Sequence, residues 1–297
     1  MRKKQIILYL IMICLILFMI SCTTKTTDLT IGLIPSNDPA KLLEKFKPIE
    51  AYLEKEINIE VNVVVPTDYL GLINSMKKKT VDIGWYGPFS YVIAERELDL
   101  EPMVVESYKG VGTSYYSLII ARKDSKIRTI DDLKGKTYAF VDPGSTSGFV
   151  IPSALFISRN IDTEKYFKET IFSGNHDAVV MDVLNGKADA GSISDVTFQK
   201  LTDEGTVLID DLIIIWKSDE IPNSPFIARA DLDKDIKDKF KTAMLSIHEN
   251  NMDAVKVFDL GIDKYVEFEY NDYNNIRNIA KILGDDFVMK NFLKNEE

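Results

Sequence analysis

Short apolar runs with strand character alternate with helix-period segments along almost the whole chain, and this rhythm confines the fold to the α/β class. Residues 29–34 read as a strand. Residues 41–56 read as a helix with Leu42, Leu43, Phe46, Ile49, Tyr52 and Leu53 on one side. Residues 59–65 and 81–85 are expected strands. Between them Thr67 is placed to cap a helix whose end, Lys77-Lys78-Lys79, suits the negative pole of the helix dipole. A helix over 89–97 follows, then a longer strand over 115–122, a capped turn at 129–135 and a strand over 138–141. Helices are expected over 149–159 and 175–184, with strands at 170–172, 188–193, 207–209 and 212–216. An extended return segment covers 222–228, and helical periodicity covers 236–260 and 273–293. Mainly parallel sheets flanked by helices are the expected arrangement.

Size decides how many lobes this pattern makes. The chain has 297 residues, large for one core, yet no Pro- or Gly-rich linker divides it. A two-lobed fold in which the chain crosses over and returns satisfies both facts, with 115–122 and 222–228 as the crossings. The expected division is 29–117 plus 226–297 for lobe I and 118–225 for lobe II.

The first residues serve as an address. Arg2, Lys3 and Lys4 precede an apolar run over 6–20, shorter than a membrane-spanning helix needs and suited to a signal peptide. The run ends at Met19-Ile20-Ser21-Cys22 and gives way to polar residues. This resembles a bacterial lipoprotein signal over 1–21, with lipid on Cys22, a tether over 22–28 and the body outside the cytoplasmic membrane. Met19 stands where such signals usually carry Leu. Cys14 and Cys22 are the only cysteines, so the body has no disulfide framework. With two histidines, His176 and His248, a metal site is not expected. A net charge of −10 opposes nucleic-acid binding. Loss of residues 1–21 would remove three basic and no acidic residues, moving the charge to about −13.

In open α/β sheets ligands settle where strand ends meet helix N-termini. The most informative such junction is Gly144-Ser145-Thr146-Ser147-Gly148. Two glycines allow tight turning, three hydroxyls can donate, and the next helix offers free N–H groups, which together make an anion cradle. It lacks the Lys-Ser/Thr ending of a nucleotide P-loop. It is not a nucleophile elbow either, because Thr146 holds the central position. His176 opens a helix after Ser173-Gly174-Asn175, where an anion would favour its protonated form. Tyr69 opens another helix. Tyr115 and Tyr116 begin the crossing strand, one facing each way. Trp85-Tyr86-Gly87-Pro88 sets an aromatic wall beside a further helix start.

Taken together, these stretches resemble the phosphonate- and phosphite-binding proteins of ABC transporters, within the type II periplasmic binding-protein fold. The resemblance runs through Thr67-Asp68-Tyr69, Val81-Asp82-Ile83-Gly84-Trp85-Tyr86-Gly87-Pro88 and Tyr115-Tyr116-Ser117. It continues through Asp142 to Phe149, Ser173-Gly174-Asn175-His176-Asp177 and Ile215-Trp216-Lys217-Ser218. It implies that Ser145, Thr146 and Ser147 hold a phosphorus oxyanion while Tyr69, Tyr115 and His176 close on it. Relatives that take aminoalkyl phosphonates use acidic residues for the ammonium. Ser224 or Asn223 stands at one such position, and Asp195, beside Val196, is near the other. That pattern favours phosphite, methylphosphonate or phosphate. The Trp85-Tyr86 wall is expected to abut a P–H or P–CH₃ group and to disfavour a fourth oxygen. The implied partners are an ABC permease with its ATPase; no cofactor is called for, and a monomer is expected. Two alternatives stay open at this point: a hydrolase using Ser145 or Ser147 with His176 and Asp195, and a binding module that feeds a membrane sensor.

Overall fold

A computed structural model describes residues 28–288 apart from Ile209 and Leu260. The signal segment and Cys22 lie outside the described residues. Among the described residues no helix is long and apolar enough to cross a membrane, and no group of His, Cys, Asp or Glu is arranged to hold a metal ion.

Among the described residues thirteen strands, numbered here in chain order, form two main sheets and one short ribbon. The first sheet has the order β13-β4-β12-β3-β1-β2. It contains β1 (Leu29–Leu33), β2 (Val61–Val64), β3 (Ile83–Trp85), β4 (Leu100–Tyr108), β12 (Pro225–Arg229) and β13 (Ile262–Glu267). The second has the order β10-β6-β9-β7-β8, from β6 (Ser117–Arg122), β7 (Thr137–Phe140), β8 (Glu169–Phe172), β9 (Ala190–Ser194) and β10 (Leu212–Lys217). We call the bodies built on them lobe I and lobe II. Between them β5 (Ser114–Tyr115) pairs with β11 (Ile221–Pro222) in an antiparallel ribbon. This ribbon is the double crossing.

The sheets are mixed, which corrects the mainly parallel expectation. In lobe I, β1 pairs in parallel with β2 and β3, whereas β12 runs antiparallel to β3 and β4, and β13 antiparallel to β4. In lobe II, β7 is parallel to β8 and β9, while β6 is antiparallel to β9 and β10. The crossing is the cause: a strand arriving from the other lobe enters against the local βαβ direction.

Local chemistry explains most elements. Helix Pro39–Ile57 begins with Pro at its first position, where a missing N–H costs nothing, and buries Leu42, Phe46, Ile49, Tyr52, Leu53 and Ile57 on one face. Its Asp38 cap accepts from Lys41 N at 3.0 Å. Helix Tyr69–Lys77 is capped by Asp68, accepting from Gly71 N at 2.6 Å, and not by Thr67 as expected. The long strand expected over 115–122 is two strands separated at Tyr116. No strand forms at Val207 and Leu208, which follow a helix, Asp195–Asp203, absent from the sequence reading. Strands β4 and β13 were also unforeseen. The last helix, Asn274–Val288, starts on lobe I, where Arg277 Nε meets Glu95 at 2.6 Å. Beyond the kink at Gly284 it stacks Phe287 on Phe149 of lobe II, centroids 5.4 Å apart.

The lobes touch across the cleft. Phe89 N donates to Thr146 Oγ1 at 2.9 Å, His176 N to Ser36 O at 3.0 Å, and Asn37 Nδ2 to Asp177 Oδ1 at 2.9 Å. Lys45 pairs with Glu204 at 2.6 Å. The conformation described is closed.

Candidate anion-binding site

A small cavity of about 80 Å³ lies between the lobes, and Tyr69, Trp85, Tyr115, Ser145, Thr146, Ser147 and His176 all reach its wall. A space this small suits a compact ion and not a nucleotide.

The loop after β7 is built from its own backbone. Asp142 accepts from Gly144 N at 2.7 Å through Oδ1, and its carbonyl accepts from Ser145 N at 2.9 Å. Ser145 Oγ then caps the coming helix by accepting from Gly148 N at 3.1 Å. That helix opens with a π turn, Thr146–Val150, before Ile151–Ser158 continues as α-helix, a local widening frequent at functional sites. Phe149 N and Val150 N both donate to Ser145 O, so the N–H groups of Thr146 and Ser147 have no partner in the helix ladder. Gly148 is obligatory here because a Cβ would lie 2.3 Å from the Val141 side chain. Ser145, Thr146 and Ser147 are all buried. Ser147 O accepts from Ser117 Oγ at 2.6 Å, which pins the loop to β6.

His176 opens helix His176–Leu184 behind the Asn175 cap, whose side chain accepts from Ala178 N at 2.8 Å. Its Nδ1 accepts from Ser194 N at 3.1 Å, so the proton of the neutral ring resides on Nε2. Burial pushes its pKa down to about 4, prevailing over the raising effect of Asp177 and helped by Lys200. With no anion beside it, the ring is a neutral N–H donor.

Tyr69 and Tyr115 are buried phenols whose pKa values burial drives upward, so both stay protonated and able to donate. Tyr69 approaches the Ser145 hydroxyl, and Tyr115 those of Ser147 and Thr146. Tyr116 faces the other way, with its hydroxyl on Glu220 at 3.2 Å and Lys217 Nζ 3.3 Å above its ring. Asp142 sits behind the cradle, where burial lifts its carboxyl to about 6.

The aromatic wall divides. Trp85 lines the cavity, but Tyr86 is fully buried in the core away from it, its ring packed against Gly84, and its hydroxyl has no partner. Adjacent residues at a strand end point to opposite faces, so Trp85 and Tyr86 do not form one wall. Asp195 is likewise set apart. Its Oδ1 accepts from Tyr116 N and Val196 N, each at 2.9 Å, and it lines a larger cleft cavity of about 420 Å³ rather than the small one.

Sequence reasoning passed over Glu106, Ser194 and Thr197, which also line the small cavity, and Lys200 beside them. Ser194 ends β9 and caps the unforeseen helix, accepting from Thr197 N at 3.1 Å. A usable signal for Glu106 existed: one acid following Met103-Val104-Val105, within an apolar run of strand propensity.

Two lobes joined by a double crossing, with mixed sheets and a donor-lined cavity where they close, define a type II periplasmic binding protein. The family model described as "ABC transporter, phosphonate, periplasmic substrate-binding protein" matches residues 31–273. A protein of Mycolicibacterium smegmatis named "Phosphate-import protein PhnD" is 31% identical over 277 residues, covering 87% of this chain and 86% of its own. The crystal structure of a binding-protein component of an ABC phosphonate transporter from Pseudomonas aeruginosa superposes with a TM-score of 0.81 at 26% identity, covering 90% of this chain and 89% of that one. PhnD1 of Prochlorococcus marinus in complex with methylphosphonate gives 0.79 at 21% identity, covering 87% and 99%. The chain therefore belongs to the periplasmic phosphonate-binding proteins of ABC transporters. Its work is capture of a small phosphorus oxyanion outside the cytoplasm for an importer's permease and ATPase, and the family is one of binding proteins, not enzymes.

Proposed function

We propose that the oxyanion is held in the 80 Å³ cavity by Ser145, Thr146 and Ser147 from lobe II, with Tyr69, Tyr115 and His176 completing the shell. The observation that carries this reading is the convergence of neutral donors from both lobes and the crossing on one small cavity. Hydroxyls, phenols, an imidazole N–H and two free backbone N–H groups hydrogen-bond the anion over short range. A chain of net negative charge cannot draw an anion by its overall field, so these short-range donors, with Lys41, Lys45 and Lys200 on the same wall, supply the affinity. Phosphate, phosphite and methylphosphonate are the candidates: one relative's name states phosphate import, another's phosphite binding, and one solved neighbour holds methylphosphonate.

The bodies built on the two main sheets serve as the two lobes, with the end of the C-terminal helix bridging them. The lobes close on the ligand, and the closed monomer is what the permease reads. Lipid on Cys22 tethers the chain to the membrane after removal of 1–21.

Calorimetric titration of the full-length chain with the three oxyanions tests the site. Tight, saturable binding of at least one is expected, weakened on the order of tenfold or more in both Ser145→Ala and His176→Ala. Binding undiminished in both variants would place the site elsewhere.

A further inference from the structure

Glu106 is the buried charge that the donor shell does not use. It sits on β4, 3% exposed, with its Oε1 lacking any hydrogen-bond partner, and it lines the same small cavity as the Ser145–Ser147 loop. Trp85 Nε1 is likewise buried and unpartnered, and Trp85 also lines that cavity. The indole lies near enough to ease ionisation of the carboxyl yet outside hydrogen-bond geometry. Among the described residues the other buried side-chain polar atoms without a partner belong to Tyr86, His248 and Tyr265, and none of these lines the cavity.

A buried, unpaired carboxyl is costly and calls for a partner. No group of lobe I hydrogen-bonds its Oε1. Asp259 is the other carboxylate facing it, and the phenols of Tyr108, Tyr115, Tyr265 and Tyr273 stand around it. Burial and Asp259 both push its pKa well up. The cavity that Glu106 lines can supply a partner. All the groups in the proposed shell are donors, so they take the three unprotonated oxygens of a tetrahedral oxyanion. The fourth substituent then faces the lobe I wall. A hydrogen or methyl group there leaves both Trp85 Nε1 and Glu106 unpaired. An oxygen satisfies both: it accepts from the indole N–H and shares one proton with the carboxyl, whichever of the two holds it. Without that proton two anions would oppose each other in a dry cavity.

We propose that Glu106 is the specificity-determining residue of this cavity, reading a fourth oxygen, so that the ligand class is inorganic phosphate rather than phosphite or an alkylphosphonate. This reverses the expectation that the aromatic wall disfavours a fourth oxygen, and it rests on the reading that the cavity holds a phosphorus oxyanion.

The test is calorimetric titration of the full-length chain and of Glu106→Met with inorganic phosphate, phosphite and methylphosphonate at neutral pH, with melting midpoints read alongside. The parent is expected to bind phosphate at least about tenfold tighter than either of the others. Glu106→Met is expected to weaken phosphate by roughly 10- to 100-fold while leaving methylphosphonate within about threefold. A parent that binds phosphite or methylphosphonate as tightly as phosphate overturns the proposal, and this measurement decides alone if the variant does not melt cooperatively. Equal weakening of all three ligands in a folded variant overturns it too. If the parent binds none of them, the assignment of the cavity itself fails, which is a different result.

Discussion

The two walls of the cavity differ in how complete they are. On the lobe II wall the site side chains are already held before any ligand is considered: Ser145 Oγ caps Gly148 N, Thr146 Oγ1 accepts from Phe89 N, and His176 Nδ1 accepts from Ser194 N. On the lobe I wall Trp85 Nε1 and Glu106 Oε1 remain unpaired. The contrast separates two tasks. Groups locked by their own hydrogen bonds present their remaining donors at fixed positions, so little ordering entropy is spent on binding. Groups left unpaired discriminate, because a ligand that fails to satisfy them leaves their desolvation cost in place.

The sharpest way to break the locked wall is to force its loop away from β7. Gly148→Val drives a side chain into Val141, where even a Cβ would sit at 2.3 Å. A loss of about 3 kcal/mol in chemical-denaturation stability is expected, with binding abolished. A change under about 1 kcal/mol would mean that the loop is loosely held.

The state of His176 can be read from the pH dependence of stability. Its folded pKa is lowered to about 4 from 6.5, so between those values the unfolded chain binds a proton that the folded chain does not, and stability falls as pH falls. Asp142, raised from 3.8 to about 6, acts with the opposite sign in an overlapping window, so the parent's own pH profile hides both. The difference between parent and His176→Asn isolates the histidine. The parent's stability relative to the variant should decline by up to about 3 kcal/mol between neutral pH and pH about 4. A flat difference would show a protonated, solvated ring.

Removing a partnered hydroxyl should cost stability even without ligand. Ser145→Ala loses the cap on Gly148 N and is expected to destabilise the ligand-free chain by about 1 to 2 kcal/mol. An unpartnered hydroxyl should behave oppositely. Tyr86→Phe deletes a buried hydroxyl with no partner and is expected to leave thermal stability unchanged or raised by about 1 kcal/mol. If Tyr86→Phe destabilises as much as Ser145→Ala, the distinction between satisfied and unsatisfied groups loses its force.

How much of this was legible follows from the range of the interactions involved. The Ser145–Ser147 loop, the His176 helix start and the Tyr69 helix start are local motifs, with caps formed by residues three or fewer positions away, so their chemistry could be seen in the sequence. What depended on distant packing could not. The protonation of His176 is set by burial and by Ser194, 18 residues away. The mixed sheets arise because β12 pairs with β3 across more than 130 residues of sequence. Strands β4 and β13 lie within segments whose acidic residues and tyrosines masked their alternation, and missing β4 hid Glu106. The aromatic pair was misread for a simpler reason: side-chain alternation puts only Trp85, and not Tyr86, on the cavity.

The crossing ribbon carries one more consequence. Tyr115 belongs to β5, the two-residue strand that pairs with Ile221–Pro222 where the chain passes between lobes. In any rotation of one lobe against the other, atoms on the pivot travel least, while those far along either lever arm sweep the widest arcs. Were the lobes to swing apart, Tyr115 would keep its place beside Thr146 and Ser147, and the Phe89–Thr146 and Ser36–His176 contacts would part instead. An arriving anion meets a landing place that already joins the cradle to the axle.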